Sequence, residues 1–249
     1  MLELNRISAG YGKQTVLDGI SVDFEKGKLT SIIGVNGCGK STLLKAILGI
    51  LSLSNGEIFI DGENLLTISR NEIAKKIAYL SQGKNIPDMT VEQMVLHGRF
   101  PYLSYPRRYS SHDREVAIKA MEIVGVVEFA HKPLYSLSGG MRQNAYIAMA
   151  LAQDTDYILL DEPTTYLDIA HQLELMRILR KLADSGKGIV AVMHNLPIAF
   201  DFSDKLTVMS NGKIIAYGTP SEICESHIVE DIFGVKIKQV QKGKYLYEY

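Results

Sequence analysis

The run Gly34-Val35-Asn36-Gly37-Cys38-Gly39-Lys40-Ser41 constrains this 249-residue chain more than any other feature. A glycine, four residues and then Gly-Lys-Ser follow the apolar segment LTSIIG and precede STLLKAILGI, whose apolar residues recur at helical spacing. Strand, glycine loop and helix in that order are the context that makes the spacing a phosphate-binding loop, the Walker A pattern. Glycines at 34, 37 and 39 let backbone N–H groups turn inward, with Asn36, Cys38 and Thr42 completing the cradle. The helix beginning near Lys40 adds the positive end of its dipole. Lys40 is expected to bridge the β- and γ-phosphates of ATP, and the Ser41 hydroxyl to ligand magnesium, a cation that prefers oxygen donors.

The second half of such a site is the apolar strand Tyr157-Ile158-Leu159-Leu160 ending in Asp161 and Glu162, a Walker B pattern. Open α/β sheets gather their ligands at the C-terminal ends of strands. Asp161 is expected to reach the metal, and Glu162 to take a proton from an attacking water as general base. Adjacent residues on a strand face opposite sides, which predicts that the two carboxylates do not duplicate each other.

The rest of the chain supplies a scaffold of the matching class. LELNRIS and LDGISVDF alternate apolar and polar residues between glycines, predicting a small antiparallel sheet at the N-terminus. EIFIDG and AYLSQ read as further strands, and residues 89–154 read as almost wholly helical, an inserted subdomain. Strands YILLD and GIVAVM then alternate with helices, predicting a parallel sheet covered on both faces. Asn211-Gly212 between LTVMS and KIIAYG is a hairpin signal. The chain therefore reads as one α/β unit, its core formed by 1–88 and 155–225, with 89–154 inserted and 226–249 a C-terminal extension.

Bulk properties exclude little else. A net charge of -1 gives no electrostatic reason for a nucleic-acid partner. Cys38 and Cys224 are too few for a disulfide framework, and a crosslink at Cys38 would obstruct the loop, so a reducing cytosol is expected. Cys38 itself reads as a small loop residue rather than a reactive thiol. The first residues carry no apolar signal-peptide core, and no stretch approaches the roughly 18 apolar residues of a membrane span.

Between the two phosphate-site motifs stands Leu137-Ser138-Gly139-Gly140-Met141-Arg142-Gln143, which resembles the LSGGQ signature of the ATP-binding cassette family. The motif order matches that family along nearly the whole chain: Tyr11, the Walker A loop, Gln82, the signature, Walker B, Asp168 and His194. The resemblance implies a P-loop NTPase core of RecA-like α/β fold with an N-terminal antiparallel β subdomain and an inserted helical subdomain. It also implies that two copies lie head to tail, each ATP sandwiched between the Walker A loop of one copy and Ser138, Gly139 and Gly140 of the other. A helix start carrying glycines and a hydroxyl is chemically suited to that second anion site. By the same resemblance Tyr11 stacks on adenine, Gln82 ligands magnesium, Asp168 belongs to the D-loop, and His194 is the switch histidine that helps Glu162 position water. Asp168 equally suits the N-cap of the helix beginning near Ile169.

Three stretches resemble the subfamily that drives import of iron-siderophore, haem and cobalamin-type cargo: Gly98 to Tyr102, Ala148 to Gln153, and Thr165 to Gln172. This implies integral membrane permease subunits, an extracytoplasmic substrate-binding protein as an indirect partner, and a place on the cytoplasmic face of a bacterial membrane. Sister importers for metal ions or small solutes share parts of these stretches. Three residues depart from the usual family pattern: Asn144 where a basic residue is common, Asn195 after the switch histidine where an acid is usual, and Tyr166 in place of a small residue. The rival reading, a soluble cassette acting on nucleic acid or ribosomes, calls for a long coiled-coil insertion or a second cassette, and this chain has neither. A lone exporter cassette is disfavoured by the importer-like stretches. The basic and aromatic cluster of Arg99, Tyr102, Tyr105, Arg107, Arg108 and Tyr109 reads as a solvated or permease-docking face rather than a nucleic-acid site.

Overall fold

The computed structural model describes residues 1–82, 86–241 and 243–248, so 83–85 of the expected core and 242 and 249 of the expected extension lie outside the described residues. Strand alternation produces the first layer: β1 (Leu2–Tyr11) and β2 (Gln14–Phe24) pair antiparallel, and β4 (Leu53–Ile60) and β5 (Glu63–Asn64) extend the sheet in the order β2-β1-β4-β5. The alternation slips once. Leu2 and Leu4 face the core, yet so do Ile7 and Ala9, because Arg6 takes a left-handed φ of 48° and the register shifts between Leu4 and Ile7.

A second sheet of six strands has the order β10-β9-β3-β8-β7-β6. Its members are β3 (Leu29–Gly34), β6 (Ile77–Leu80), β7 (Tyr157–Asp161), β8 (Gly188–Val192), β9 (Lys205–Ser210) and β10 (Lys213–Gly218). β6, β7, β8, β3 and β9 run parallel, and β10 closes the edge as the antiparallel arm of the Asn211-Gly212 hairpin. Every residue of β3, β7 and β8 is buried, the pattern of strands covered on both faces.

Alternate residues of these strands feed two separate apolar cores. Ile158, Leu160, Ile189 and Ala191 join the core under the helical side, with α3 (Val91–Leu96), α4 (Ser111–Ile123), α5 (Gly139–Ala152), α6 (Ile169–Asp184) and α7 (Leu196–Phe202). Tyr157, Leu159, Val190 and Val192 face the N-terminal sheet and α1 (Lys40–Ile47), while α2 (Arg70–Lys76) leads into β6. The tail forms α8 (Pro220–Glu225), α9 (Ile228–Phe233) and the hairpin β11 (Lys236–Gln241) with β12 (Lys244–Glu248). It is fastened to α7, where the Tyr245 ring lies 5.1 Å from that of Phe200 and the Tyr245 N–H donates to Asp201.

The inserted region is less helical than its periodicity predicts. α3 stops at Leu96 and tightens into a 3-10 turn over His97–Tyr102, which contains Pro101 and lets Gly98 approach α5. A methyl group at Gly98 would stand 2.2 Å from the Met149 carbonyl oxygen. In that turn Arg99 is buried, donating to Asp113 at 2.9 Å and to the Ala152 carbonyl at 3.0 Å. One guanidinium thus joins the turn to the start of α4 by an ion pair and to the end of α5 by a hydrogen bond.

Breaking one side of a buried pair strands the other charge, so Arg99→Ala is expected to lower the unfolding free energy by about 3–5 kcal/mol in a urea titration. The same pair sets a pH dependence. Burial alone would push the Asp113 carboxyl up, but hydrogen bonds from the Ser110 hydroxyl and backbone and from Arg99 outweigh it and hold the pKa at about 2, below the ordinary 3.8. The folded value is the depressed one, so the contribution is present above pH 3.8 and is lost as pH falls toward 2. The gap in melting midpoint between the natural chain and Asp113→Asn should close across that window.

Candidate active site

Four neighbouring parallel strands end at one edge, and each delivers a residue expected from the sequence. β3 ends in Gly34 and the loop, β6 runs to Gln82, β7 ends at Asp161 and Glu162, and β8 runs to His194. The registers bring these ends level, since Val192 pairs with both Ile32 and Asp161.

The loop curls tightly. Gly39 precedes α1 with a φ of 107°, a conformation that L side chains rarely adopt. A methyl group at Gly34 would stand 2.3 Å from the Met209 carbonyl oxygen and 2.7 Å from Cys38 Sγ. Cys38 is buried beneath the loop, as befits a small packing residue. Lys40, only 5% exposed, donates from Nζ to the Gly34 and Val35 carbonyls at 2.7 and 3.0 Å. The resulting cavity of about 160 Å³ is lined by Asn36, Gly37, Gly39, Lys40, Ser41 and Thr42, together with Val16 from β2 and Glu162 from beyond β7. Val16 was not anticipated. Tyr11 lies at the end of β1, 50% exposed, and is not among the lining residues.

Asp161 closes the floor at 6% exposure. Its Oδ1 accepts from the Ser41 hydroxyl at 2.9 Å and its Oδ2 from the Tyr79 hydroxyl at 3.3 Å. Burial pushes the Asp161 carboxyl up, and the bonds from Ser41 and Tyr79 pull it back. The Ser41 hydroxyl and the buried Asp161 carboxylate, in direct contact, are oxygen donors of the kind magnesium takes. Among the described residues no group of three His, Cys, Asp or Glu side chains forms a metal cage.

Glu162 departs from the reading by strand alternation. β7 stops at Asp161, and Glu162 takes a left-handed φ of 53°, so a backbone turn separates the two carboxylates rather than opposite strand faces. Three groups converge on the Glu162 side chain. His194 Nε2 lies 2.6 Å from Oε1, while Oε2 accepts from Gln82 Nε2 at 2.9 Å and from the Thr165 hydroxyl at 3.2 Å. Gln82 spends its NH2 group on this bond, which uses none of its carbonyl oxygen. A carboxylate braced in this way, at the mouth of a phosphate cradle, can accept a proton from water. Tyr79 escaped the sequence reading because its partner lies on another strand, and the role of Thr165 did because it depends on the turn that begins at Glu162.

The remaining expected residues stand apart from this cavity. Ser138 caps α5, its Oγ accepting from the Met141 N–H at 3.3 Å, and the signature glycines occupy the first turn. Asp168 caps α6, accepting from the His171 N–H at 2.9 Å. This bond, followed by the one from the His171 side chain, holds the Asp168 carboxyl below the usual range. Neither segment lines the cavity within one chain. Two of the departures are explained locally. Asn144 donates to the Val124 carbonyl at the end of α4 at 3.1 Å, and Asn195 caps α7, in whose first turn Pro197 sits.

With this geometry in hand, comparison with known proteins is specific. The family model described as ABC transporter matches residues 17–165. The petrobactin import ATP-binding protein FpuD of Bacillus anthracis is 40% identical over 93% of this chain and 86% of its own length. The ferric enterobactin transport ATP-binding protein FepC of Escherichia coli (strain K12) is likewise 40% identical over 93% of this chain and 86% of its own. Among solved structures, the dimeric structure of MJ0796, a bacterial ABC transporter cassette, superposes with a TM-score of 0.76 at 27% identity, covering 88% of this chain and 99% of that one.

Proposed function

The chain belongs to the ABC transporter family as an ATP-binding cassette, and on that premise we propose that it is the ATP-hydrolysing subunit of an importer for an iron chelate of the siderophore type. The observation that carries this reading is the similarity to petrobactin and ferric enterobactin import subunits, which runs through nearly the whole chain rather than the nucleotide motifs alone. Haem and cobalamin-type cargo belong to the same class of bulky chelates.

In this reading the loop residues from Gly34 to Thr42 hold the phosphates, Lys40 turns from its own loop carbonyls to the β- and γ-phosphates, and Tyr11 lies against the adenine. Ser41, Asp161 and Gln82 would hold magnesium, which would supply charge neutralisation to the phosphates. Glu162 takes the proton of the attacking water, and His194, bonded to its Oε1, fixes the carboxylate and contacts the γ-phosphate. Thr165 and Gln82 hold the other oxygen, so the carboxylate does not rotate away.

A second copy supplies Ser138, Gly139 and Gly140 to the same γ-phosphate, with Asp168 at the junction. The dimeric MJ0796 cassette supports that partner. ATP then closes the pair by contacting both halves, and loss of the γ-phosphate releases it. The helical insert, 89–154, meets the membrane permease on the cytoplasmic face, and a binding protein on the far side delivers cargo. Among the described residues no helix is long and apolar enough to cross a membrane, so the pore is assigned to separate subunits.

The test is reconstitution with the membrane subunits in vesicles. ATP turnover should rise several-fold when a binding protein loaded with a ferric chelate is added. Stimulation by haem or cobalamin but by no ferric siderophore would move the cargo, and absence of any magnesium-dependent turnover would sink the ATPase reading.

A further inference from the structure

The stretch Ile169-Ala170-His171-Gln172 has no part in the nucleotide chemistry described above, yet its side chains make specific bonds. The Asp168 carboxylate that caps α6 also lies 2.8 and 2.9 Å from His171 Nδ1. An ionised carboxylate only accepts, so Nδ1 carries the proton and the imidazole is fixed at that edge. Its opposite edge lies on the signature: a methyl group at Gly140 would stand 2.2 Å from His171 Cδ2 and 2.8 Å from Nε2. At Gly139 the same methyl group would meet open space. The two adjacent glycines are therefore small for different reasons, the first facing outward and the second seating a ring of its own chain.

The next residue points the other way. Gln172 donates to the Leu167 carbonyl at 2.9 Å and accepts from Asn195 at 3.4 Å, beside His194. The first turn of α6 thus touches the signature through His171, and the D-loop and switch segment through Gln172.

We propose that His171 is a positioning residue: its ring, held by Asp168 and packed on Gly140, locks the signature turn to the D-loop of the same chain. The signature is the half-site that a chain lends to its partner. His171 therefore sets the quality of the partner's nucleotide site, not of its own, and the D-loop and signature respond as one unit to the partner's ATP. This inference rests on the two-copy reading given above.

A double-mutant cycle tests it in a Glu162→Gln background, where ATP-dependent association is separated from turnover. The quantity measured is the ATP concentration at half-maximal dimer formation. His171→Ala and Gly140→Ala should each raise it about tenfold, and the double variant should be no worse than His171→Ala, because the clash disappears with the ring. His171→Asn, which keeps an N–H donor for Asp168 but has no ring to seat, should behave as His171→Ala. ADP affinity and melting midpoint of His171→Ala should match the background, since a chain binds ADP with its own loop. An unchanged ATP concentration at half-maximal dimer formation for His171→Ala, multiplicative losses in the double variant, or a parallel fall in ADP affinity and melting midpoint would each overturn the proposal. A background chain that fails to associate with ATP at all would overturn the two-copy reading and this proposal with it.

Discussion

Glu162→Gln is expected to reduce ATP hydrolysis by about 10²–10⁴-fold, the contribution of a positioned general base, while leaving ATP binding intact. Glutamine matches glutamate in shape and still offers one carbonyl oxygen to the donors that converge there, His194, Gln82 and Thr165. What it lacks is the capacity to take a proton. Bound ATP should then persist, and the chain should elute as a stable dimer in ATP but not in ADP on size exclusion. Phosphate release measured alongside separates the two effects. Turnover that continues with no ATP-dependent change in size would refute both Glu162 as the base and the sandwiched arrangement.

Lys40→Ala acts one step earlier. The ammonium is buried within the loop, and Lys40 lines the cradle. Hydrogen bonds to a charged group contribute about 1.5–3 kcal/mol each, so losing contacts to two phosphates should weaken ATP binding by at least about a hundredfold. Calorimetric titration should show a larger loss for ATP than for ADP, because only ATP presents a γ-phosphate. The melting midpoint without nucleotide should also fall, because the buried Gly34 carbonyl loses its donor, so nucleotide affinity is measured well below that midpoint. Unchanged affinity would remove Lys40 from the phosphate site.

The four strand ends were legible because each motif couples a residue type to a local element that its own sequence encodes. Gly34 to Ser41 needs only the strand before and the helix after, and both are present. Asp168 was likewise readable as a helix cap from its place before Ile169. What stayed hidden depends on contacts between distant segments. Nothing in the sequence says that Tyr79 reaches Asp161 or that His171 lies on Gly140, since those contacts follow from how β6 meets β7 and α6 meets α5. Local backbone events were the other loss. The bulge at Arg6 and the turn at Glu162 each break an alternation that periodicity assumes to be unbroken. The signature marks the limit of what one chain can show, for its residues do not line the cavity that motif order associates them with.

The turn at Glu162 also bears on how this protein can change over evolutionary time. A side chain held in the left-handed region costs about 1–2 kcal/mol relative to glycine, which adopts it freely. At this position the most comfortable residue for the backbone is one that cannot catalyse. On backbone conformation alone, selection for heat resistance and selection for turnover pull in opposite directions at a single codon, and the bonds from His194, Gln82 and Thr165 to the carboxylate oppose that pull toward glycine.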